Sequence, residues 1–548
     1  MSTLYYRRPH DRAPPLIPRV PRPASLFPGP FDLLVIGGGI NGAGIARDAA
    51  MRGLRVALVE RDDFASGTSS RSSRLIHGGL RYLEHGQLHL VFEASRERRT
   101  LMRIAPHLAR PLRFTWPMFD DARIPRWKVR AGLTLYDALA LFRNVAPHRD
   151  IGADAVLALE PALRRRGLTA GATYFDAATD DSRLTLANLR AARLAGATIA
   201  SRAEVTSLIR DHGAVRGARV CHTPTGASFD VAARVVVNAT GPWSDAIRRL
   251  ADPAAPLSVR GTKGVHVALP RARVGNHGAL TLLSPVDGRV FFVLPASATT
   301  IVGTTDTDYD GPPDSVRATA ADVDYLLRSA NAYFPEARLA PNDVVAAWAG
   351  IRPLIGGDAR HPDALSREHA VTSTAPGLIT ISGGKLTTYR VMARDAVDAV
   401  QRALGQPVRH AATGDTPLPG GAFTSLDGEV AAAAERTGAQ ALAAHLVSRY
   451  GSEWRDVWSL AERDRALARP IAPPLDDIAA EVSWAIEQEM ALTLGDILIR
   501  RTHVAFETVD HGLRAAREIA PRFGWDDAAV DAYAAEVDRM FGVAPRAP

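Results

Sequence analysis

The chain has 548 residues, of which 46% are apolar and 23% are charged, a composition typical of a globular protein of roughly two to four structural units. Its net charge is +7, but the basic residues are scattered among acids and form no stripe with aromatic side chains, so we expect anionic small molecules or an anionic membrane surface, and no nucleic acid, as partners. A single cysteine, Cys221, excludes disulfides within the chain, and no apolar run is long enough to span a bilayer.

The first thirty residues differ from the rest of the chain. They contain eight prolines and five arginines and lack the apolar segment of a signal peptide. The prolines would also break the amphipathic helix of a transit peptide. We therefore predict a disordered extension over residues 1–30.

A strand, a helix and a second strand are predicted next. The apolar run Phe31–Ile36 ends in glycines and is typical of a buried parallel strand. Helical spacing follows over Asn41–Arg52, and Leu54–Val59 is a second buried strand. This order is the opening of a nucleotide-binding domain.

The turn after the first strand fits the pattern G-x-G-x-x-G over residues 37–42. Gly37 permits a tight turn, Gly39 lets the backbone approach a diphosphate, and Gly42 lets helix and strand pack closely. The helix start, which includes Asn41, then faces the phosphates. Glu60 ends the second strand, where a carboxylate accepts hydrogen bonds from an adenosine ribose and disfavours NADP. A glycine-rich turn without a ligand is the alternative, and the pattern does not separate FAD from NAD.

A loop rich in short hydroxyl side chains follows. Such side chains are suited to bind a diphosphate, although they also cap helix starts. The candidates are Thr68, Ser69, Ser70 and Ser73.

Later parts of the chain have different patterns. Ala203–Leu208, Arg234–Asn238 and Leu378–Ser382 are predicted strands of the first domain, which is therefore discontinuous. Short strands between them predict an antiparallel sheet over Val265–Leu269, Val290–Leu294 and Thr300–Gly303. After the turn-rich linker Asp415–Gly421, helical periodicity covers Glu429–Tyr450, Asp477–Phe506 and Asp526–Met540.

Several separated motifs resemble the FAD-dependent glycerol-3-phosphate dehydrogenases, in particular their aerobic, respiratory bacterial members. The resemblance extends from Phe31 to about Phe541. The motifs are SSRSS followed by LIHGGLRYLE, NATGPW, GTKGVH, GTTDTDY, AGIRPL, SGGKLTTYR and EMALTLGDILIRRT.

The resemblance implies an α/β fold with a discontinuous Rossmann-like FAD-binding domain, an antiparallel-sheet substrate domain and a C-terminal helical domain, as in flavoproteins like D-amino-acid oxidase. We expect the FAD-binding domain over residues 31–105, 180–255 and 375–405, and the substrate domain over 106–179 and 256–374. The C-terminal domain is expected over residues 416–542.

The resemblance also extends the cofactor site. A helix starting near Lys385 would place backbone N–H groups and a cation at the flavin edge that gains negative charge on reduction. A surface lysine is the alternative. The further cofactor-binding candidates are His77, Gly78, Gly79, Val205, Ala239, Thr240, Gly241, Gly384, Lys385, Leu386 and Thr387.

A phosphate-bearing polyol, sn-glycerol 3-phosphate, is the implied substrate. Arginine forks suit phosphate, and Arg352 lies in an apolar run where an unpaired charge would be costly. His266 is the candidate base because an imidazole titrates near neutral pH, with His77 second and Lys385 or Arg352 able to polarise the hydroxyl. The substrate-binding candidates are Arg81, Tyr82, His266, Arg352, Arg367 and Lys385, and the catalytic candidates are His266, Arg352, Lys385 and His77.

Residues 123–136 mix cations, Trp127, Tyr136 and aliphatic side chains, which indicates either a membrane-surface helix or a buried connecting helix. The resemblance implies a cytoplasmic homodimer that associates with the inner face of the cell membrane and passes electrons to a quinone. No spacing of histidines and carboxylates indicates a metal site.

Three alternatives stay open from the sequence. An oxidase would use oxygen as the electron acceptor for the same substrate. An amine or amino-acid oxidase would share the scaffold. A non-catalytic protein stabilised by FAD is the third possibility, and a flavin whose redox state ignores every substrate would support it.

Overall fold

The computed structural model describes residues 27–79, 87–141, 144–355 and 368–544. Eighteen strands are named in chain order: β1 (Phe31–Ile36), β2 (Val56–Val59), β3 (Leu75–Ile76), β4 (Ala109–Phe119), β5 (Arg149–Gly152), β6 (Leu168–Thr179), β7 (Thr198–Ala200), β8 (Ala203–Asp211), β9 (Ala214–His222), β10 (Ala227–Asn238), β11 (Val259–Pro270), β12 (Ala279–Leu283), β13 (Val290–Pro295), β14 (Thr299–Gly303), β15 (Thr307–Asp308), β16 (Ala346–Ile355), β17 (His369–Ala375) and β18 (Leu378–Gly383).

The described helices are α1 (Ile40–Met51), α2 (Leu88–Ile104), α3 (Arg126–Leu139), α4 (Ala153–Leu159), α5 (Asp181–Leu194), α6 (Ser244–Ala251), α7 (Arg271–Val274), α8 (Ala320–Asn331), α9 (Tyr389–Ala403), α10 (Leu426–Thr437), α11 (Gln440–Tyr450), α12 (Trp454–Arg463), α13 (Ala479–Gln488), α14 (Val504–Glu507), α15 (Leu513–Ile519) and α16 (Asp527–Phe541), with a π-helical turn at Asp496–Arg501. Within the described ranges, none of these helices combines the length and the apolar character that crossing a bilayer requires.

The first sheet has eight strands, with the order β17-β18-β10-β1-β2-β7 and the β8–β9 hairpin attached to β10. Its central strands are parallel. Alternate residues of β1 face opposite sides: Leu33 and Val35 pack with α1, α5 and α9, whereas Leu34 and Ile36 pack with the β8–β9 hairpin. This two-sided burial explains why the strand is a continuous apolar run.

The second sheet has ten strands, in the order β15-β11-β14-β13-β12-β4-β6-β3, with β16 on β11 and β5 on β6. Its pairs are antiparallel apart from β4 with β12. The helices from α10 onward pack partly against each other and partly against this sheet. The predicted combination of a parallel sheet, an antiparallel sheet and C-terminal helices is confirmed.

Two short strands lie across the domain limits that the sequence predicts. β17 lies in the predicted substrate-domain range but pairs with β18 in the first sheet, since Pro376 and Gly377 form a tight turn between them. β3 lies in the predicted FAD-binding range but pairs with β6 in the second sheet. The chain therefore changes sheets slightly earlier than the motifs suggest.

The N-terminal extension also ends earlier than predicted. Residues 1–26 lie outside the described residues, but Phe27 is buried and packs against Phe31 and Phe229. The prediction of disorder up to residue 30 is therefore wrong for this last part, because an aromatic side chain there joins the core beside β1.

Two of the long helical patterns are interrupted in the structure. Gly438 takes a left-handed conformation that ends α10 before α11 begins. Met490 and His503 also have positive φ values, of 57° and 61°, and they separate α13, the π-helical turn and α14. Periodicity alone does not reveal these breaks, since the apolar spacing continues across them.

Candidate active site

A cavity of about 500 Å³ lies between the two sheets. Its wall begins at the glycine turn after β1 and at Glu60, and it continues past the serine loop to β11, β16 and the start of α9. A single space therefore connects the predicted dinucleotide-binding turn with the predicted substrate-binding side chains.

The glycine turn is shaped for close approach of a ligand. Gly37 has a φ of +110°, and a Cβ there would lie 2.8 Å from the carbonyl oxygen of Ala239. A Cβ on Gly42 would lie 1.9 Å from the carbonyl oxygen of Gly37. Gly42 does not line the cavity, so its role is the close packing of α1 onto the turn, whereas Gly37, Gly39 and Asn41 line the cavity directly.

Glu60 lies at the end of β2, on the cavity wall. Its two carboxylate oxygens accept hydrogen bonds from the backbone N–H groups of Gly38 (2.6 Å) and Asp62 (2.8 Å). Burial raises the pKa of Glu60, and these two hydrogen bonds act in the opposite direction. The carboxylate therefore fixes the glycine turn and also reaches the cavity, as the ribose-binding prediction requires.

The serine loop connects the two ends of the cavity. The Ser69 hydroxyl accepts a hydrogen bond from the Ile40 N–H at the start of α1 (2.9 Å), and the Thr68 hydroxyl donates to the Ile351 carbonyl of β16 (2.7 Å). Ser73 Oγ lies 2.8 Å from His266 Nε2. The predicted Ser70 side chain is buried and does not line the cavity.

One face of the β11–β16 pair forms the far wall. In the register, His266 is opposite Trp348, Gly264 is opposite Gly350, and Thr262 is opposite Arg352. Alternate residues of a strand share a face, so the two glycines leave an open floor between the imidazole and the guanidinium. A side chain at position 264 would not fit, because a Cβ on Gly264 would lie 2.4 Å from Arg352 Nη2.

His266 is buried, with 3% of its surface exposed. Its ring stacks on Trp348 with a centroid separation of 5.4 Å. Burial, together with the positive charges of Arg352 and Arg74, lowers its pKa to about 3. The imidazole is therefore neutral at physiological pH, which is the form that accepts a proton.

Three groups among the described residues help to hold Arg352 at the cavity wall. It donates from Nη1 to Asp306 (3.1 Å), and from Nη2 to the Thr304 hydroxyl (2.9 Å) and the Thr305 carbonyl (3.2 Å). Its side chain keeps 24% exposure. Asp306 thus orients a guanidinium that lines the cavity.

His77 and the start of α9 meet at the other side of the cavity. The Thr387 hydroxyl accepts from the His77 N–H and donates to the His77 carbonyl, both at 3.2 Å. Lys385 precedes the short helical turn Leu386–Thr388, which continues into α9. Other predicted residues on the cavity wall are Val205, Ala239, Thr240, Gly241, Gly384, Lys385 and Leu386.

Some predicted residues are placed elsewhere. The Gly78 N–H donates to the Tyr136 hydroxyl (2.9 Å) and to Asp176 (3.1 Å), and neither Gly78 nor Gly79 lines the cavity. Arg81, Tyr82 and Arg367 lie outside the described residues. Their roles in substrate binding stay predictions.

Several residues on the cavity wall were missed by the sequence reasoning, and two of them are Arg71 and Trp243. Arg71 lies between the predicted serines, and Trp243 ends the NATGPW motif, with its ring against Gly67. Both stand inside motifs that carry the family resemblance, which is the signal that could have found them.

Two groups of histidine and carboxylate side chains come together in the fold. They contain Asp180, Asp181 and His503, and His445, Asp477 and Glu481. An arginine accompanies each group: Arg74 lies 3.3 Å from His503, and Arg449 lies 3.1 Å from Asp477. These cations supply the compensating charge, so the groups give no argument for a metal ion.

The arrangement fits FAD at the glycine end and a small anion at the other. Gly37 and Gly39 line the cavity without side chains, so a diphosphate can approach their backbone, and Glu60 offers a carboxylate to a ribose. The same cavity reaches the neutral imidazole of His266 and the guanidinium of Arg352. A site of this kind can hold a redox cofactor next to an anionic alcohol and accept the hydroxyl proton.

Comparisons with known proteins agree with this geometry. The family described as FAD dependent oxidoreductase matches residues 32–390, and the C-terminal domain of alpha-glycerophosphate oxidase matches residues 411–530. The chain is 42% identical to glycerol-3-phosphate dehydrogenase 2 of Mycobacterium bovis, over 91% of this chain and 86% of that protein. It is 35% identical to the aerobic glycerol-3-phosphate dehydrogenase of Bacillus subtilis, over 93% and 94% of the two chains.

A solved structure extends the similarity to three dimensions. The glycerol-3-phosphate dehydrogenase from Bacillus halodurans, complexed with FAD, superposes with a TM-score of 0.75 at 32% identity, and the match covers 94% of this chain and 96% of that one. The predicted fold class and the predicted FAD cofactor are confirmed by these matches.

Proposed function

The chain belongs to the FAD-dependent glycerol-3-phosphate dehydrogenase family, and from this membership we propose that it oxidises sn-glycerol 3-phosphate to dihydroxyacetone phosphate and passes the electrons to a quinone. The observation that carries the proposal is the single cavity that joins the dinucleotide-binding turn to Arg352 and His266. FAD bound at the glycine turn would supply the two-electron acceptor that oxidation of a secondary alcohol requires.

Arg352 binds the substrate phosphate in this proposal. Its guanidinium is already oriented by Asp306 and Thr304, so little side-chain freedom is lost when the phosphate binds. Lys385 lies on the same cavity wall and adds a second cation. The dianionic phosphate then meets positive charge at the end of the cavity remote from the glycine turn.

His266 takes the hydroxyl proton. Arg352 is one of the two charges that hold the pKa of the imidazole low, and a bound phosphate dianion offsets that charge. Substrate binding therefore raises the basicity of His266 at the step that needs a base. Ser73, 2.8 Å from Nε2, keeps the ring in place.

The burial of a neutral His266 can be tested by comparing how the free energy of unfolding changes with pH in the native protein and in the variant His266→Gln. Its pKa is about 3 in the fold and about 6.5 in the unfolded chain, so only the unfolded state gains a proton between these values and stability falls as the pH falls. We expect the step from pH 7 to pH 5 to cost the native protein about 2 kcal/mol more than it costs the variant His266→Gln. Urea unfolding at both pH values measures this difference, and equal losses in the two proteins would contradict it.

The reaction itself is tested on the purified holoenzyme without oxygen. Addition of sn-glycerol 3-phosphate should bleach the oxidised flavin band and form dihydroxyacetone phosphate, and glycerol should have no effect. An unchanged band in fully flavinated protein overturns the proposed substrate. Reoxidation by a soluble quinone supports the acceptor, whereas hydrogen peroxide formed stoichiometrically with turnover in air would identify an oxidase.

We also propose that the enzyme associates with the anionic inner face of the cell membrane through α3 and acts as a homodimer. Val129, Leu133 and Tyr136 form the buried face of this helix. Trp127 is 71% exposed on the outside. The helix also carries the exposed cations Arg126, Lys128 and Arg130. An exposed tryptophan among cations is typical of a helix that lies at a membrane surface.

Light scattering of the holoenzyme tests the proposed homodimer.

Trp127→Ala should weaken binding to vesicles that contain phosphatidylglycerol by roughly fivefold or more, because the indole no longer enters the interface. Cosedimentation over a range of lipid concentrations measures the affinity. Leu194→Ala removes another exposed apolar side chain, 73% exposed at the end of α5, and should leave binding unchanged. Equal affinities of native protein and Trp127→Ala would exclude α3 as the contact.

A further inference from the structure

Arg71 lies in the middle of the serine loop that crosses the cavity. Ser69 on one side of it is bonded to the start of α1, and Ser73 on the other side is bonded to His266. The backbone of Arg71 packs over Gly350, whose missing side chain leaves room for the loop. Arg71 forms part of the cavity wall. It therefore stands between the dinucleotide-binding turn and the catalytic side chains.

The Arg71 guanidinium forms no ion pair and no side-chain hydrogen bond with any described residue, and its Nε is buried without a partner. Several other buried arginines are paired with carboxylates. Arg52 binds Asp48 and Asp398, Arg98 binds Asp176, and Arg183 binds Glu489. Arg71 contrasts with them although the protein contains many acids.

The electrostatic surroundings do not compensate the charge at close range. Burial lowers the pKa of Arg71, and the nearby positive charge of Arg500 lowers it further. The carboxylates of Glu536, Asp314 and Asp62 act in the other direction, but without a hydrogen bond. A half-buried guanidinium of this kind costs free energy that an anion in the cavity would offset.

We infer that the Arg71 guanidinium binds a phosphate group inside this cavity. The inference rests on the proposed function, which places two phosphate-bearing molecules there: FAD with its diphosphate, and sn-glycerol 3-phosphate. Both present oxygens that a planar guanidinium can bind with two parallel hydrogen bonds. Arg71 would then be a ligand-binding residue in addition to the predicted ones.

The test compares Arg71→Gln and Arg71→Lys with the native holoenzyme. Glutamine removes the charge, whereas lysine keeps it and loses the forked geometry. Arg55→Gln, at an exposed position of the same domain, is the control for the loss of one positive charge. Flavin fluorescence on dilution gives the dissociation constant of FAD, and absorbance changes of the bound flavin on titration give that of sn-glycerol 3-phosphate.

If Arg71 binds the FAD diphosphate, Arg71→Gln should raise the FAD dissociation constant by at least about tenfold, with Arg71→Lys between it and the native protein. If Arg71 binds the substrate phosphate, FAD affinity stays native and the dissociation constants of sn-glycerol 3-phosphate and inorganic phosphate rise instead. The inference is overturned if, in both variants, the dissociation constants of FAD, sn-glycerol 3-phosphate and inorganic phosphate all change by less than about twofold.

Circular dichroism and thermal unfolding separate these outcomes from misfolding. If Arg71→Gln does not accumulate as folded protein, Arg71→Lys decides the question, because loss of the fork alone should weaken one of the two ligands by about threefold or more. Bleaching of the native flavin by sn-glycerol 3-phosphate is recorded in the same series. A native flavin that is not bleached refutes the proposed substrate, whereas normal bleaching with unchanged variants refutes only the role of Arg71.

Discussion

Arg352→Gln should lower kcat/KM for sn-glycerol 3-phosphate by about 10²–10⁴-fold, the loss expected for two charge-assisted hydrogen bonds to phosphate. The guanidinium is held by Asp306 and Thr304, so its removal also takes one charge-assisted hydrogen bond from the buried Asp306 carboxylate. We expect KM and the inhibition constant of inorganic phosphate to rise together. Steady-state kinetics with an artificial electron acceptor measures both.

The controls for Arg352→Gln separate phosphate binding from general damage. Arg352→Lys keeps the charge without the fork and should retain part of the activity. Arg260→Gln removes a partly exposed arginine of β11 that pairs with Asp308 and does not line the cavity, so it should be close to native. A loss in Arg352→Gln of only a few fold, with native phosphate inhibition, would contradict the proposed role.

Asp63→Asn should lower the free energy of unfolding by about 3–5 kcal/mol, the cost typical of breaking a buried ion pair from one side. Asp63 is fully buried and binds Arg501 and Arg500 of the π-helical turn. Asparagine takes from Arg501 the one carboxylate that it binds among the described residues, whereas Arg500 keeps Asp496 and Glu536. Urea unfolding at neutral pH with excess FAD measures the change.

Glu462→Gln is the matched control for Asp63→Asn. Glu462 pairs with Arg436 at the surface of the C-terminal helices, where such a pair contributes about 0–1 kcal/mol. If both variants lose the same small amount, the Asp63 contact is not what joins the C-terminal helices to the FAD-binding domain. A selective loss in Asp63→Asn, accompanied by release of FAD, would connect that contact to the loop that begins at Glu60.

The C-terminal helices also reach the candidate active site by a second route. Phe506 of α14 packs edge-on against Trp348, which also stacks on the His266 ring. Residues of the interrupted helical segment therefore contact both the loop that follows β2 and the wall of the substrate-binding end. This arrangement explains why the interruption of the helix matters, since a continuous helix would present these side chains on one face at regular spacing.

The dinucleotide end of the site was predictable because its determinants are local. The positive φ of Gly37 and the close approach at Gly42 follow from a short pattern between a strand and a helix. Glu60 was found from its place at the end of the second strand. The motifs of the family resemblance gave the cofactor and the substrate class, which the family membership supports. The structure shows which of the predicted residues line the cavity, whereas their roles in binding and catalysis stay predictions.

The substrate end depended on contacts that no local pattern contains. Gly264 faces Gly350 only because β11 and β16 pair in one register, and that register opens the floor between His266 and Arg352. Gly78 stands in a motif like the others, yet its N–H is used by Tyr136 and Asp176. Sequence spacing does not distinguish a glycine that lines the cavity, such as Gly264, from one that does not, such as Gly78.

The sequence by itself determined the strand–helix–strand opening, the glycine turn and the family, since backbone sterics and hydrophobic periodicity act between near neighbours along the chain. The tertiary structure decided which charges are paired. Asp63 meets Arg501, which lies 438 positions further along the chain, whereas Arg71 forms no ion pair with an acid in the part of the chain that the structure describes. The physical reason is that the energy of a buried charge depends on the groups within a few ångströms of it, and folding brings those groups from distant positions.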